Sequence, residues 1–302
     1  MERLKYFCVD LSVIKFIVGE VQFSIDCPDL SQLFSLPTIY QKFGITTAGT
    51  KTPADCDLIS FQITLVQTLP SFPVVTQLTS EPSWQVGLDK SGNYVFSFNK
   101  PLPDRLLVMD PDFSCGTLYL QEAKSTEGQF PLNTLDIIVY SNWLANRGDL
   151  LLHASGIVIN EKGYAFVGRS GAGKSTLVAK LAEERKVTVL GEDQVALRYL
   201  NGAYWIFGTP WHLNLDMCSP MGVPLQKIFF LDREAANILT PLQPQEGFTR
   251  LMQTAFIPYY RPPQVSKIMD NLERLSLEIP FSLLAYRLGD DIIKTVLDAK
   301  IF

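Results

Sequence analysis

The five cysteines, Cys8, Cys27, Cys56, Cys115 and Cys218, are scattered along the chain, and no CxxC pair occurs. An odd, widely spaced set excludes a disulfide framework and a cysteine zinc site, and fits reduced thiols in a cytoplasm. There is no Lys/Arg run, and the net charge is -5, so the basic excess of a nucleic-acid binder is missing. No stretch approaches the roughly 18–20 apolar residues that span a bilayer. The charged start Met1-Glu2-Arg3-Leu4-Lys5 is not followed by an uninterrupted apolar run and a small-residue cleavage site. The expectation is a cytoplasmic protein without nucleic-acid or membrane partners. No internal repeat, no Asn-Lys-x-Asp base-reading motif and no Leu-Ser-Gly-Gly-Gln segment is found, which weakens GTPase and transporter-ATPase readings.

What is there is an ordinary globular composition, 47% hydrophobic and 19% charged over 302 residues, enough for one large domain or two modest ones. Residues 1–130 carry short apolar runs between turn residues, a β-rich pattern. The predicted strands are Tyr6–Leu11, Ile14–Val18, Val21–Ile25, Leu58–Val66, Trp84–Leu88, Tyr94–Phe98, Leu106–Met109 and Thr117–Gln121, with a hairpin turn at Lys90–Asn93. Thr46–Asp55 and Leu69–Glu81 read as connections. The role of this half stays open. Residues 131–302 read differently. A helix is predicted at Asn133–Arg147, then strands at Leu150–His153, Ile157–Ile159 and Tyr164–Val167, a helix at Lys174–Arg185, and a strand at Val187–Leu190. Gln194–Tyr199 and Tyr204–Phe207 flank Asn201-Gly202, a hairpin signal. A hairpin directly after a βαβ unit predicts a mixed sheet rather than a purely parallel one. Gly208–Pro224 reads as a loop and Lys227–Leu231 as a strand. Helices at Glu246–Thr254, Pro263–Leu277 and Asp290–Leu297 and a strand near Ser282–Leu288 complete an α/β (α+β, mixed-sheet) domain.

The chemistry-bearing motif is Gly168-Arg169-Ser170-Gly171-Ala172-Gly173-Lys174-Ser175, followed by Thr176, which fits G-x-x-x-x-G-K-[ST] at every fixed position. Glycines let the backbone turn tightly enough for successive N–H groups to point at phosphate oxygens. The helix that follows presents its positive end to the same anions. Lys174 supplies a charge for the β- and γ-phosphates of ATP, and the Ser175 hydroxyl suits Mg²⁺. About one random chain in a hundred of this length would match the pattern, and here a strand precedes it and a helix follows.

Phosphoryl transfer also needs a group that takes the acceptor's proton and carboxylates near the metal. Glu192 and Asp193 stand at the end of the strand after the loop helix, where ligands bind in open α/β sheets. One of them suits Mg²⁺, the other the proton. His153 precedes a strand expected beside the loop strand and is placed either to orient an acid or in the core with a backbone partner. His212, on a loop beside Trp211, reads as an acceptor contact or as a histidine without a role. Ile228-Phe229-Phe230-Leu231-Asp232 has the shape of a Walker B strand and offers Asp232 as a rival metal ligand.

The runs Leu150–Gly156, Tyr164–Thr176 and Leu190–Val195 together resemble the catalytic domain of HPr kinase/phosphorylase, which is grouped with the phosphoenolpyruvate carboxykinases. They also resemble the HPr-kinase-like proteins that include lasso-peptide serine kinases. The resemblance covers about residues 130–297 and leaves the N-terminal part unmatched. It implies that His153 contacts the catalytic acid, that residues 168–175 hold the phosphates, that Glu192 and Asp193 match a paired Asp-Asp, and that the chain self-associates. Glu192 stands where the family has its first Asp, and Ala154 where it has Gly. No counterpart of the phosphorolysis segment is found, so the reverse reaction is not expected. The combined expectation is an ATP- and Mg²⁺-dependent kinase acting on a hydroxyl of a peptide, protein or small molecule. A carboxykinase-like enzyme and a nucleotide-binding regulator are the alternatives.

Overall fold

The computed structural model describes residues 6–7, 13–27, 36–44, 57–99, 103–122, 135–169, 171–183, 187–212, 217–233 and 237–286. The architecture is mixed α/β, with two eight-stranded sheets and few helices. The chain divides into two compact units, residues 1–143 and 144–302.

Unit 1 is built on strands. Tyr6–Phe7 (β1) pairs with Leu36–Pro37 (β4). The large sheet uses β2 (Val13–Val18), β3 (Val21–Asp26), β5 (Asp57–Val66), β6 (Thr76–Ser80), β7 (Trp84–Leu88), β8 (Tyr94–Phe98), β9 (Arg105–Met109) and β10 (Cys115–Gln121). Their order is β2-β3-β5-β10-β9-β8-β7-β6. Alternate residues of β2 are buried, Ile14, Phe16 and Val18, as the two-residue period of a strand requires. The turn between β7 and β8 forms because Asp89 accepts hydrogen bonds from the Ser91 and Asn93 amides. Residues 76–80 are a strand and not the connection their Thr/Ser content suggests. As an edge element, β6 pairs with β7 alone and is mostly exposed, so no buried alternation marks it. Helix α1 (Leu135–Arg147) follows this sheet.

Unit 2 is organised by two long strands. β11 (Leu150–Ile159) and β16 (Gly222–Arg233) are ten and twelve residues long. The other strands are β12 (Lys162–Val167), β13 (Val187–Gly191), β14 (Gln194–Leu200), β15 (Ala203–Gly208), β17 (Ile238–Leu242) and β18 (Phe281–Tyr286). Helices α2 (Lys174–Ala182), α3 (Pro244–Met252) and α4 (Pro262–Glu278) complete it. β12, β16 and β18 lie side by side and parallel, whereas β11 is antiparallel to β12, β13 and β14. The sheet is therefore mixed. The tight turn between β14 and β15 places Asn201 and Gly202 at φ 52° and 82°, the left-handed pair that matches strand twist.

Alternation splits the core into two faces. Tyr164, Phe166, Phe229 and Leu231 meet Leu177, Val178 and Leu181 of α2. Ala165, Val167, Ile228 and Phe230 face the other way and join Leu251 of α3 and Ile268, Leu272 and Leu275 of α4. Strands buried on both faces need near-continuous apolar runs, and β12 and β16 have them.

Three elements of unit 2 also depart from the sequence reading. Residues 150–159 form one strand, not two with a break at Ala154-Ser155-Gly156. Small side chains are needed there because a Cβ on Gly156 would lie 2.9 Å from Val195, so the gap in the apolar run reflects close packing. β16 begins at Gly222, inside the predicted loop, and the sequence pattern predicts no element at β17. β17 is an edge strand, paired only to β18, and carries Pro241, a residue edges tolerate. The helix predicted at 290–297 lies outside the described residues.

The Arg198 guanidinium meets Asp149 at 3.0 Å, with both side chains buried, and Asp149 also accepts the Tyr199 amide. This pair pins β14 against the start of β11. Arg198→Ala leaves a buried carboxylate without its counter-charge. The expected cost is about 3–5 kcal/mol, read as a lower urea midpoint at unchanged slope.

Candidate functional site

The glycine loop leaves β12 at Val167 and enters α2 at Lys174. Gly171 and Gly173 have φ of 78° and 92°, left-handed values that side chains other than glycine resist. A Cβ on Gly168 would approach the Ala172 Cβ to 3.0 Å, so the loop also needs glycine at its first position. The Ala172 amide donates to the Arg169 carbonyl, and the Tyr286 hydroxyl of β18 donates to the Ala172 carbonyl at 2.8 Å. Helix α2 has no side-chain N-cap, which leaves its first-turn amides free of the usual competitor for an anion. Ser175 and Thr176 are exposed on that first turn. Ser170 lies outside the described residues.

Lys174 is only 6% exposed. Its Nζ donates to the Gly168 carbonyl at 2.8 Å and lies 3.1 Å from His153 Nε2. On the far side of that ring, His153 Nδ1 is 3.1 Å from Asp193 Oδ1. An ammonium only donates and a carboxylate only accepts. The imidazole between them is therefore neutral, with its proton on Nδ1 and its lone pair toward Lys174. Burial pushes the Lys174 ammonium below the ordinary lysine range, against the pull of Asp193. The hydrogen bond from His153 holds the Asp193 carboxyl below the usual carboxylate range, with burial opposing it. Asp193 keeps half of its side chain exposed, so it remains reachable.

Strand pairing explains why these three groups meet. β13 and β14 both pair with β11, but Glu192-Asp193 break the ladder between them. At this corner the Ala154 amide donates to the Asp193 carbonyl, and the Ser155 hydroxyl donates to the Glu192 carbonyl at 2.6 Å. His153 and the loop strand lie on the same stretch of β11, since Ala154 pairs with Val167. The structure thus joins His153, Lys174 and Asp193 directly. Glu192 enters through its backbone, and its side chain is partly exposed.

His212 departs from both of its sequence readings, an acceptor contact and a loop histidine without a role. It is buried behind the acid corner, with Nδ1 accepting the Asp193 amide and Nε2 lying 3.3 Å from Thr209 Oγ1. Thr209 gives its own proton to the Gln194 carbonyl, so its oxygen accepts from His212 Nε2–H. A Cβ on Gly191 would sit 2.4 Å from the ring, which shows how closely the corner is packed on it. A loop position gives no burial signal, and the sequence offered none.

Beside the loop lies a cavity of about 970 Å³, lined by His153, Gly168, Arg169, Asp232, Arg250 and Thr254 among others. Asp232 is exposed at the end of β16, the strand next to β12. Arg250, Gln253 and Thr254 were missed from sequence, because an arginine at the end of an amphipathic helix reads as a solvated face. Among the described residues no group of three or more His, Cys, Asp or Glu closes around a metal position, and no helix is long and apolar enough to cross a membrane.

No family model and no curated protein matches the chain. Among solved structures it is similar to the Hpr(Ser) kinase/phosphatase from Coxiella burnetii, with 14% identity and a TM-score of 0.29. That likeness covers 49% of this chain and 94% of the other. It is too slight to bear on the site.

Burial pulls the His212 pKa from 6.5 down to about 4. Between those values the unfolded chain binds the proton and the folded chain does not. Stability is therefore full above pH 6.5 and falls toward pH 4, by about 3 kcal/mol across the window. Urea unfolding at a series of pH values is expected to show this slope in the native chain and a shallower one in His212→Asn. Equal slopes would count against the buried neutral imidazole.

Proposed function

We propose that unit 2 binds a nucleoside triphosphate on residues 168–176 and transfers its γ-phosphoryl group to a hydroxyl. The observation that carries this reading is the chain of contacts from Lys174 through His153 to Asp193 at the mouth of the glycine loop. A structural lysine has no need to be buried against a backbone carbonyl and a neutral ring, where its charge is poorly solvated. A phosphate-binding lysine does need to be held at the loop.

In this reading the loop amides and Lys174 hold the phosphates, with the γ-phosphoryl toward the cavity. Asp193 takes the proton of the acceptor hydroxyl. The acceptor oxygen bonds to phosphorus as the bond to the β-phosphate oxygen breaks, and the nucleoside diphosphate leaves. His153 keeps the Asp193 carboxylate oriented and ionised through Nδ1–H. A low carboxylate pKa suits a loose transition state, in which little proton transfer precedes bond breaking. The open left-handed loop and the exposed Ser175 hydroxyl fit Mg²⁺ alongside phosphate oxygens, with Glu192 or Asp193 as the protein carboxylate. When bound, the ion neutralises charge on the phosphates. The acceptor is a peptide, a protein or a small molecule, and self-association is consistent with the resemblance noted above.

A second reading rests on Asp232, exposed at the end of the strand parallel to the loop strand. If that carboxylate serves the metal and water is the acceptor, the protein is an ATPase or a slowly hydrolysing regulator. Incubation with γ-labelled ATP and hydroxyl acceptors separates the two. The kinase reading expects label on an acceptor, reduced at least a hundredfold in Lys174→Ala and in Asp193→Asn, with nucleotide binding weakened mainly in the former. Release of free phosphate only, unaffected by Asp193→Asn and abolished by Asp232→Asn, would replace it with the ATPase reading.

A further inference from the structure

The cavity beside the loop has a charge pattern that the phosphotransfer reading does not use. Arg250 projects from the last turn of α3, and its guanidinium lies 5.8 Å from the centroid of the Phe230 ring. A cation–π contact at this distance draws the guanidinium toward the ring while leaving its donors available. Arg169 lies exposed on the loop and lines the same cavity. Among the described residues neither arginine forms an ion pair. Against these two guanidiniums the lining holds one carboxylate, Asp232.

The wall carrying Arg250 is fixed relative to the acid. Directly after α3 the chain pairs with β11. The His153 amide donates to the Thr254 carbonyl at 2.8 Å, the Phe256 amide donates to the Leu151 carbonyl, and Leu152 bridges Ala255. Residues 254–256 thus continue the edge of β11 where β12 turns away into the loop. His153, which orients Asp193, sits between the Arg250 wall and the loop. His153 and Arg250 both line the cavity, so an anionic group held by Arg250 there lies beside the ring that is hydrogen-bonded to Asp193.

We infer that this cavity is the acceptor site and that it selects hydroxyl compounds bearing a carboxylate or phosphate near the reacting oxygen, with Arg250 as the specificity residue. This rests on the phosphotransfer reading. The shared chemistry is an anion beside a hydroxyl, found in a serine peptide flanked by acidic residues or in a free hydroxy acid. Arg169 can serve the nucleotide, since it belongs to the loop. Arg250 comes from a separate element across the cavity, which makes it the selective one.

The test has two stages on the full chain. A fluorescent ATP analogue with Mg²⁺ reports the nucleotide site. If it does not bind, the reading of the loop fails, and that outcome is seen before any acceptor is added. With a non-hydrolysable ATP analogue bound, titration calorimetry then compares three pentapeptides with serine at the centre and acidic, neutral or basic flanks, and free glycerate as a fourth probe. The expected result is about tenfold tighter binding of the acidic peptide or of glycerate than of the basic peptide. Which of the two gains tells peptide from small-molecule acceptors. Arg250→Glu should reverse the order, and Arg250→Lys should keep most of it. Arg250→Gln should abolish the preference, with nucleotide affinity within twofold and the thermal midpoint unchanged. Equal binding of all probes by the native chain, or a preference surviving Arg250→Glu, overturns the inference. So does an equal loss for every probe together with weaker nucleotide binding, since that would make Arg250 a phosphate ligand.

Discussion

The ladder along β11 positions everything at the loop end of unit 2. Its edges are fully engaged: β12 and then residues 254–256 on one side, β13 and β14 on the other. Backbone pairing fixes these positions, because each displaced amide or carbonyl would lose its partner in a buried setting. The interruption at Glu192-Asp193 is held as firmly as the strands around it, by the Ala154 amide and the Ser155 hydroxyl. His153 lies between the interruption and the loop, so its reach to both sides is set by sheet geometry rather than by flexible side chains.

Electrostatics then follows from what the ladder brings together. A desolvated ammonium, a neutral imidazole and a carboxylate are arranged so that each donor faces an acceptor. Behind them a second neutral imidazole, His212, accepts the Asp193 amide. Both histidines are thus used with one nitrogen giving and the other receiving, but in opposite tautomers. His153 carries its proton on Nδ1 and His212 on Nε2. Exchange of the two tautomers would set a lone pair against the Asp193 carboxylate at His153 and a donor against the Asp193 amide at His212, so the hydrogen-bond pattern selects one tautomer of each ring.

Much of this was legible in the sequence, for physical reasons. The glycine loop shows because its backbone geometry tolerates few residues, and the strands around it show because burial on both faces demands long apolar runs. That His153 comes near the loop follows from strand order, since the strand after it is expected beside the loop strand, but the register that pairs Ala154 with Val167 does not. What could not be read was long-range. The continuity of β11 hid behind small residues kept for packing, and edge strands β6 and β17 lack a buried period. His212 reads from sequence only as a loop residue with an acceptor contact or no role, since nothing local records that Gly191 and Thr209 close around it. The cavity depends on α3 returning to β11, a contact about a hundred residues away in sequence that no periodicity encodes.

The Tyr286 hydroxyl, bonded to the Ala172 carbonyl, ties the loop to the last described strand. β18 lies two strands from β12, with β16 between them, so this bond spans the sheet rather than following it. Movement of the chain at the end of β18 would be felt at the loop as the loss or recovery of one carbonyl partner. The tip of the glycine loop is therefore mechanically linked to a strand more than a hundred residues further along the chain, and its geometry is complete only once that strand has docked.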